Sequence, residues 1–109
     1  MKQTQLLKGV LEGCVLAIIQ KEKIYGYELV QELRKSGFDD IVGGTVYPLL
    51  QKLEKQEAIK GEMEPSPDGP DRKYYTLTQM GEERLISFKE QWQELTKNVN
   101  HMLKEEGEK

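Results

Sequence analysis

The sequence predicts a mostly α-helical domain with one small β-hairpin, an α+β class, and three patterns predict it. Apolar residues recur at steps of three and four along most of the 109-residue chain, the mark of amphipathic helices. Two short runs alternate apolar and polar residues on either side of a proline- and glycine-rich turn. The last third carries a sustained heptad-like repeat.

Composition limits what such a domain can do alone. Apolar residues make up 37% of the chain and charged residues 32%, so the core is thin and pairing with a second copy would add burial. The formal net charge is −3, from 16 basic and 19 acidic side chains. No segment is basic by count: residues 1–42 hold six basic and six acidic side chains, 43–75 five and six, and 76–109 five and seven. Any recognition of a polyanion must therefore come from the arrangement of charges.

The first helix is expected from Leu6 to about Gln20, with Leu7, Val10, Leu11, Cys14, Val15 and Ile18 on one face. Leu16, Ala17 and Ile19 widen that stripe, so the helix needs cover on two sides. Cys14, the single cysteine, reads as a small buried apolar residue. A second helix carries Tyr25, Leu29, Val30 and Leu33 inward, closes with Arg34 and Lys35, and ends near Ser36 with Gly37 as a left-handed cap. "FDDIVGG" then connects to a third helix.

In that third helix Val46, Leu49, Leu50 and Leu53 share one face, while Tyr47, Gln51, Lys52 and Lys55 fall elsewhere and point outward. Pro48 is placed in or near the first turn, where a missing backbone donor is tolerated. "IKGEME" and "RKYYTLT" alternate as two strands. "PSPDGPD" between them reads as a tip that cannot continue the ladder. Tyr74 and Tyr75 are adjacent on a strand and so point to opposite faces, one of them into the core.

Leu85, Phe88, Trp92, Leu95, Val99 and Met102 follow at steps of 3, 4, 3, 4 and 3. A helix from about Thr78 to Lys104 would reach roughly 40 Å, more than a domain this size can cover, so its seam needs another helix. A homodimer through the first and last helices supplies one. The chain divides into residues 1–77, a compact unit, and 78–109, a dimerisation helix and tail.

Three helices, a hairpin and a long helix form the order of a winged helix-turn-helix unit with a dimerisation arm. In such a unit the third helix enters the major groove of double-stranded DNA and the hairpin follows the neighbouring backbone or minor groove. Two-fold symmetry would set two such helices roughly 34–36 Å apart on an imperfect palindrome.

"GTVYPLLQKLEKQEAI", followed by "GPDRKYYTLTQMG" and preceded by "YGYEL", resembles the PadR-like transcriptional regulators. Members of that family commonly carry a G-T-[LIV]-Y-P-x-L-x-x-L-E helix and a wing ending in R-K-Y-Y-x-L-T-x-x-G. The single long helix after the wing resembles the smaller subfamily. The resemblance implies a homodimeric, ligand-responsive repressor that binds near a promoter. It matches Gly44, Thr45, Tyr47 and Pro48 to the start of the reading helix, Lys52 to a position where a basic residue is usual, and Arg72 and Lys73 to the basic end of the wing. Two positions depart from the pattern. Val42 replaces a serine that caps the helix in many members, which leaves its first turn to Thr45 or to a phosphate, and Gln51 replaces a residue that is often basic. For DNA to be bound, Lys52, Lys55, Arg72 and Lys73 must share one face while Glu54 and Glu57 point away.

Small multidrug sensors of this family have an aromatic-lined pore at the dimer interface, and Trp92 lies in the corresponding helix. Trp92 fits either the core of a dimer seam or the wall of such a pore, with Phe88, Leu85 and Val15 as neighbours and a small planar or phenolic compound as effector. Tyr47 fits either a contact to DNA or a ring packed beneath the wing.

Other classes find little support. One histidine and one cysteine make no zinc set, and nothing implies another metal or a cofactor. No phosphate-cradling glycine loop or nucleophile elbow is present, so an enzyme is not expected. The sequence has neither a run of about 18 apolar residues nor a secretory leader, and the expected location is the cytoplasm. The alternative to DNA binding is a winged-helix adaptor whose third helix or wing binds protein, a reading the acidic balance favours.

Overall fold

Residues 6–104 are described by a computed structural model. They form α1 (Leu11–Lys21), β1 (Ile24–Tyr25), α2 (Gly26–Lys35), α3 (Gly43–Lys55), β2 (Ile59–Ser66), β3 (Gly69–Leu77) and α4 (Gln79–Leu103). The α+β class holds, with the helices around a three-stranded antiparallel sheet of order β1-β3-β2. Residues 1–5 and the end of the predicted tail, 105–109, lie outside the described residues.

The core draws on every helix. Val15, Leu16 and Ile19 of α1 meet Leu29 and Leu33 of α2, Val46, Leu50 and Leu53 of α3, Ile59 of β2 and Leu85 of α4, each no more than 2% exposed. Among the described residues no polar or charged side chain is buried, so apolar burial and backbone pairing hold the unit together. Tyr75 is the tyrosine of its pair that enters the core, and Leu49 is only partly buried at the edge.

Four details depart from the sequence-based expectations. The first predicted helix is interrupted: Leu6 and Leu7 are helical, Lys8, Gly9 and Val10 form a turn closed by the Val10 N–H on the Leu7 carbonyl at 2.9 Å, and α1 begins at Leu11. Ile24 and Tyr25 form a short strand, pairing with Tyr75 and Tyr74, so Tyr25 belongs to the sheet and not to α2. The hairpin ladder runs through Pro65 and Pro70 up to a Ser66–Gly69 pair, with an irregularity between Glu64 and Ser66. Prolines are tolerated there because β2 is an edge strand and β1 covers β3 only at Tyr74 and Tyr75. Pro48 sits at the sixth residue of α3, in the second turn, and its absent donor would have bonded the carbonyl of the exposed Gly44, which faces water instead.

Two helices end in the same way. After α2 the Phe38 N–H bonds the Leu33 carbonyl and the Gly37 N–H bonds that of Arg34, both at 3.1 Å, with Gly37 at φ 113. After α3 the Ala58 N–H bonds Leu53 at 2.9 Å and the Glu57 N–H bonds Glu54 at 3.0 Å, with Glu57 at φ 62. Both are Schellman motifs, but the second places a side-chain-bearing residue where glycine is preferred. Glu57→Gly is therefore expected to raise stability by up to about 1 kcal/mol, measured as a higher midpoint in urea with an unchanged slope.

The start of α4 is locked to the end of α3. Thr78 caps α4 by accepting from the Gly81 N–H at 3.1 Å, and its hydroxyl lies 2.6 Å from the Glu57 carbonyl and 3.0 Å from that of Ala58. The Thr78 N–H bonds the Ala58 carbonyl as well, at 3.1 Å. Beyond this joint α4 runs along α1 but stays largely exposed: of its 25 residues only Gly81 and Leu85 are buried. The radius of gyration, 16.3 Å, exceeds the roughly 13 Å of a compact chain this long, and the largest dimension is 59 Å.

Candidate nucleic-acid interface

α3 presents an amino terminus that no side chain caps. Its cap residue, Val42, is extended at φ −128 and ψ 161, makes no side-chain cap, and no acidic residue stands in the first turn. Thr45 contributes its backbone N–H, which bonds the Val42 carbonyl at 3.0 Å, as does that of Val46 at 3.2 Å. Gly43 and Gly44 carry the remaining donors of that turn, at the positive end of the helix dipole, an arrangement suited to a phosphate.

From this end the exposed residues of α3 run along its outer side: Gly44, Thr45, Tyr47, Pro48, Gln51, Lys52 and Lys55. Lys52 lies 4.0 Å from a carboxylate oxygen of Glu12, whose other oxygen is 3.8 Å from Arg84. Arg84 also donates to Gln56 at 2.8 Å. Lys55 has no ion pair among the described residues.

Tyr47 packs against the start of α2 instead of under the wing. A Cβ at Gly26 would come 2.6 Å from its ring, and one at Gly43 would come 2.7 Å from the opposite ring edge. The ring thus spaces the first turns of α2 and α3 while remaining 43% exposed. Gly26 and Gly43 join the site as positioning residues that sequence reasoning missed, since nothing local ties either glycine to a tyrosine ring.

Arg72 and Lys73 are neighbours on β3, and the structure sends them to opposite faces of the sheet. The Arg72 guanidinium stacks 4.5 Å above the Tyr25 ring and lies 3.8 Å from Asp68. The neighbouring Tyr74 raises its already high pKa. Lys73 donates to Glu54 at 2.7 Å, and this bond pushes the lysine pKa up despite some desolvation. Glu54 therefore does not point away from the cations, as the sequence reading required. Lys23 is held similarly, with Nζ 2.9 Å from both oxygens of Glu64 and 5.5 Å from the centre of the Tyr74 ring.

The residues grouped around an effector divide in two. Val15 and Leu85 are 0% and 1% exposed, so they are core and offer no wall to a compound. Phe88 lies flat on Gly13, where a Cβ would come within 2.3 Å of its ring, and stacks on Trp92 with centroids 6.3 Å apart. Trp92 is 44% exposed and lines an open groove of about 390 Å³ with Leu6, Leu7, Val10, Phe38, Leu95, Thr96, Val99 and Asn100. Burial raises the pKa of the half-buried Cys14 thiol, which keeps it protonated and poorly nucleophilic. No helix among the described residues is long and apolar enough to cross a membrane.

Helices stacked behind an exposed third helix, with a hairpin at its side, define a winged-helix protein of the regulator class. Residues 15–87 match the transcriptional regulator PadR-like family, and the chain belongs to it. A Streptococcus transcriptional regulator of known crystal structure is 61% identical, with 92% of this chain and 98% of that one covered at a TM-score of 0.84. A PadR-like regulator from Bacillus cereus is 47% identical, with 94% and 99% covered and a TM-score of 0.86. Bacillus subtilis PadR, solved in complex with operator DNA, is 25% identical, with a TM-score of 0.66 over 72% of this chain and 46% of that protein.

Proposed function

We propose that this chain is a ligand-responsive repressor that binds a pseudo-palindromic operator in the cytoplasm as a homodimer joined through α1 and α4. The observation that carries the proposal is the open, acid-free first turn of α3, continued by an exposed row of Thr45, Gln51, Lys52 and Lys55. Such a helix places backbone donors on a phosphate and side chains on base edges in the major groove. Arg72 and the hairpin tip would lie along the adjacent backbone. The Bacillus subtilis PadR complex with operator DNA supports extending that role to a chain of the same family.

Binding to the DNA upstream of its own gene, measured across a salt series, tests the reading. Specific retention should weaken steeply with salt as counterions are displaced, whereas equal and feeble binding to all duplexes would overturn it. Lys52→Ala and Arg72→Ala should each reduce the log–log salt slope by about one, with no change in helicity or sedimentation. A planar or phenolic compound in the Trp92 groove would change the angle between the two heads and so release the operator. Titration with planar aromatic cations and with phenolic acids should quench Trp92, the single tryptophan. Unquenched fluorescence from an intact dimer would remove that site.

A further inference from the structure

Lys73 of β3 bridges the crevice between α3 and the hairpin and is already bonded to a carboxylate of α3. Its Nζ is 2.7 Å from Glu54 Oε1. The site is shaped for this contact from a third element: a Cβ on Gly61 of β2 would come 2.3 Å from Lys73 Cε and 3.0 Å from Glu54 Oε2. Gly61 has no positive φ to explain its presence, so what its missing side chain provides is passage for the lysine stem and the carboxylate over the strand.

We propose that Glu54 is a specificity-determining residue that acts as a built-in counterion, holding Lys73 away from DNA unless a phosphate is aligned to replace it. The inference rests on the DNA-binding reading above. Non-specific association depends almost wholly on phosphate neutralisation, and a lysine that keeps its own carboxylate contributes nothing to it. In a register-matched complex the base contacts of α3 fix the duplex, and the aligned phosphate takes the place of Glu54. The acidic balance of the chain then has a local function, since withholding a cation from random sequence widens the gap between wrong and right sites.

The test compares wild type, Glu54→Gln and Gly61→Ala on a random-sequence duplex and on a duplex from the upstream region, each across a salt series. Glu54→Gln should bind the random duplex about two- to fivefold more tightly at low salt, the range set by one solvent-exposed ion pair. Its salt slope should steepen by about one, with a smaller change on the upstream duplex. Gly61→Ala displaces the lysine without altering net charge and should shift binding in the same direction. Glu90→Gln, exposed on α4, makes the same charge change far from the crevice and should do neither. In a Lys73→Gln background the effect of Glu54→Gln should vanish. Circular dichroism verifies that each variant folds, with Glu54→Ala as the substitute if Glu54→Gln does not. A wild type that discriminates between the duplexes while Glu54→Gln leaves the random-duplex slope unchanged overturns the inference alone. A wild type that treats both duplexes alike overturns the DNA-binding reading, and the inference with it.

Discussion

Leu95→Glu is expected to leave the chain monomeric at concentrations where the wild type pairs, without disturbing its fold. Leu95 is 52% exposed on the outer half of α4, in line with Trp92, Val99 and Met102. Within its own chain it lines the tryptophan groove and lies outside the core. In the proposed dimer the side chain is covered twice, once in each copy. Covering a leucine contributes about 1.5–3 kcal/mol when complete, and a carboxylate in the same seam adds a desolvation cost. The dissociation constant should rise by roughly two to three orders of magnitude, which sedimentation equilibrium resolves. Operator affinity should fall with it, because a single head loses the effective concentration supplied by its twin. A Leu95→Glu chain that still sediments as a dimer would mean that the copies meet elsewhere.

Gly81→Ala should have the largest effect on folding itself. An added Cβ would stand 2.0 Å from the Ala58 carbonyl oxygen and 3.1 Å from its carbon, both backbone atoms that cannot rotate aside. To relieve the clash the start of α4 must back away from the end of α3. That movement strains the bonds that Thr78 makes to Glu57 and Ala58. Overpacking of this kind costs typically 1–3 kcal/mol, and loss of the Thr78 cap adds about 1 kcal/mol. At fixed protein concentration the melting temperature should drop by more than about 10 °C. Gly44→Ala is the matched control, because a Cβ there meets nothing within 4 Å, and it should be neutral or slightly stabilising. Equal melting of the two variants would show that the joint is softer than its geometry indicates.

How much of this was legible in the sequence depended on how far apart the interacting residues lie. The step pattern from Leu85 to Met102 located α4 to within a residue at each end, and Gly37 marked the end of α2, because both signals are local. β1 was hidden: two residues are too short to show a period, and Tyr25 stands four before Leu29, a helical spacing. The strand exists because Tyr74 and Tyr75, far along the chain, offer it partners. Helical spacing placed Val15 and Leu85 on the correct sides of their helices but carries no information about depth, and both are core. The family pattern grouped Lys73 with the DNA-facing cations, and a charge count could not reveal that Glu54, 19 residues earlier, holds it.

The all-apolar interior bears on how the proposed response to a ligand could work. With no polar or charged side chain buried among the described residues, the scaffold has no internal switch for a chemical signal to throw. In the proposed ligand-responsive dimer, a signal would therefore arrive at the rim, through the seam, the tryptophan groove or the surface ion pairs, and travel as rigid displacement of one head relative to the other.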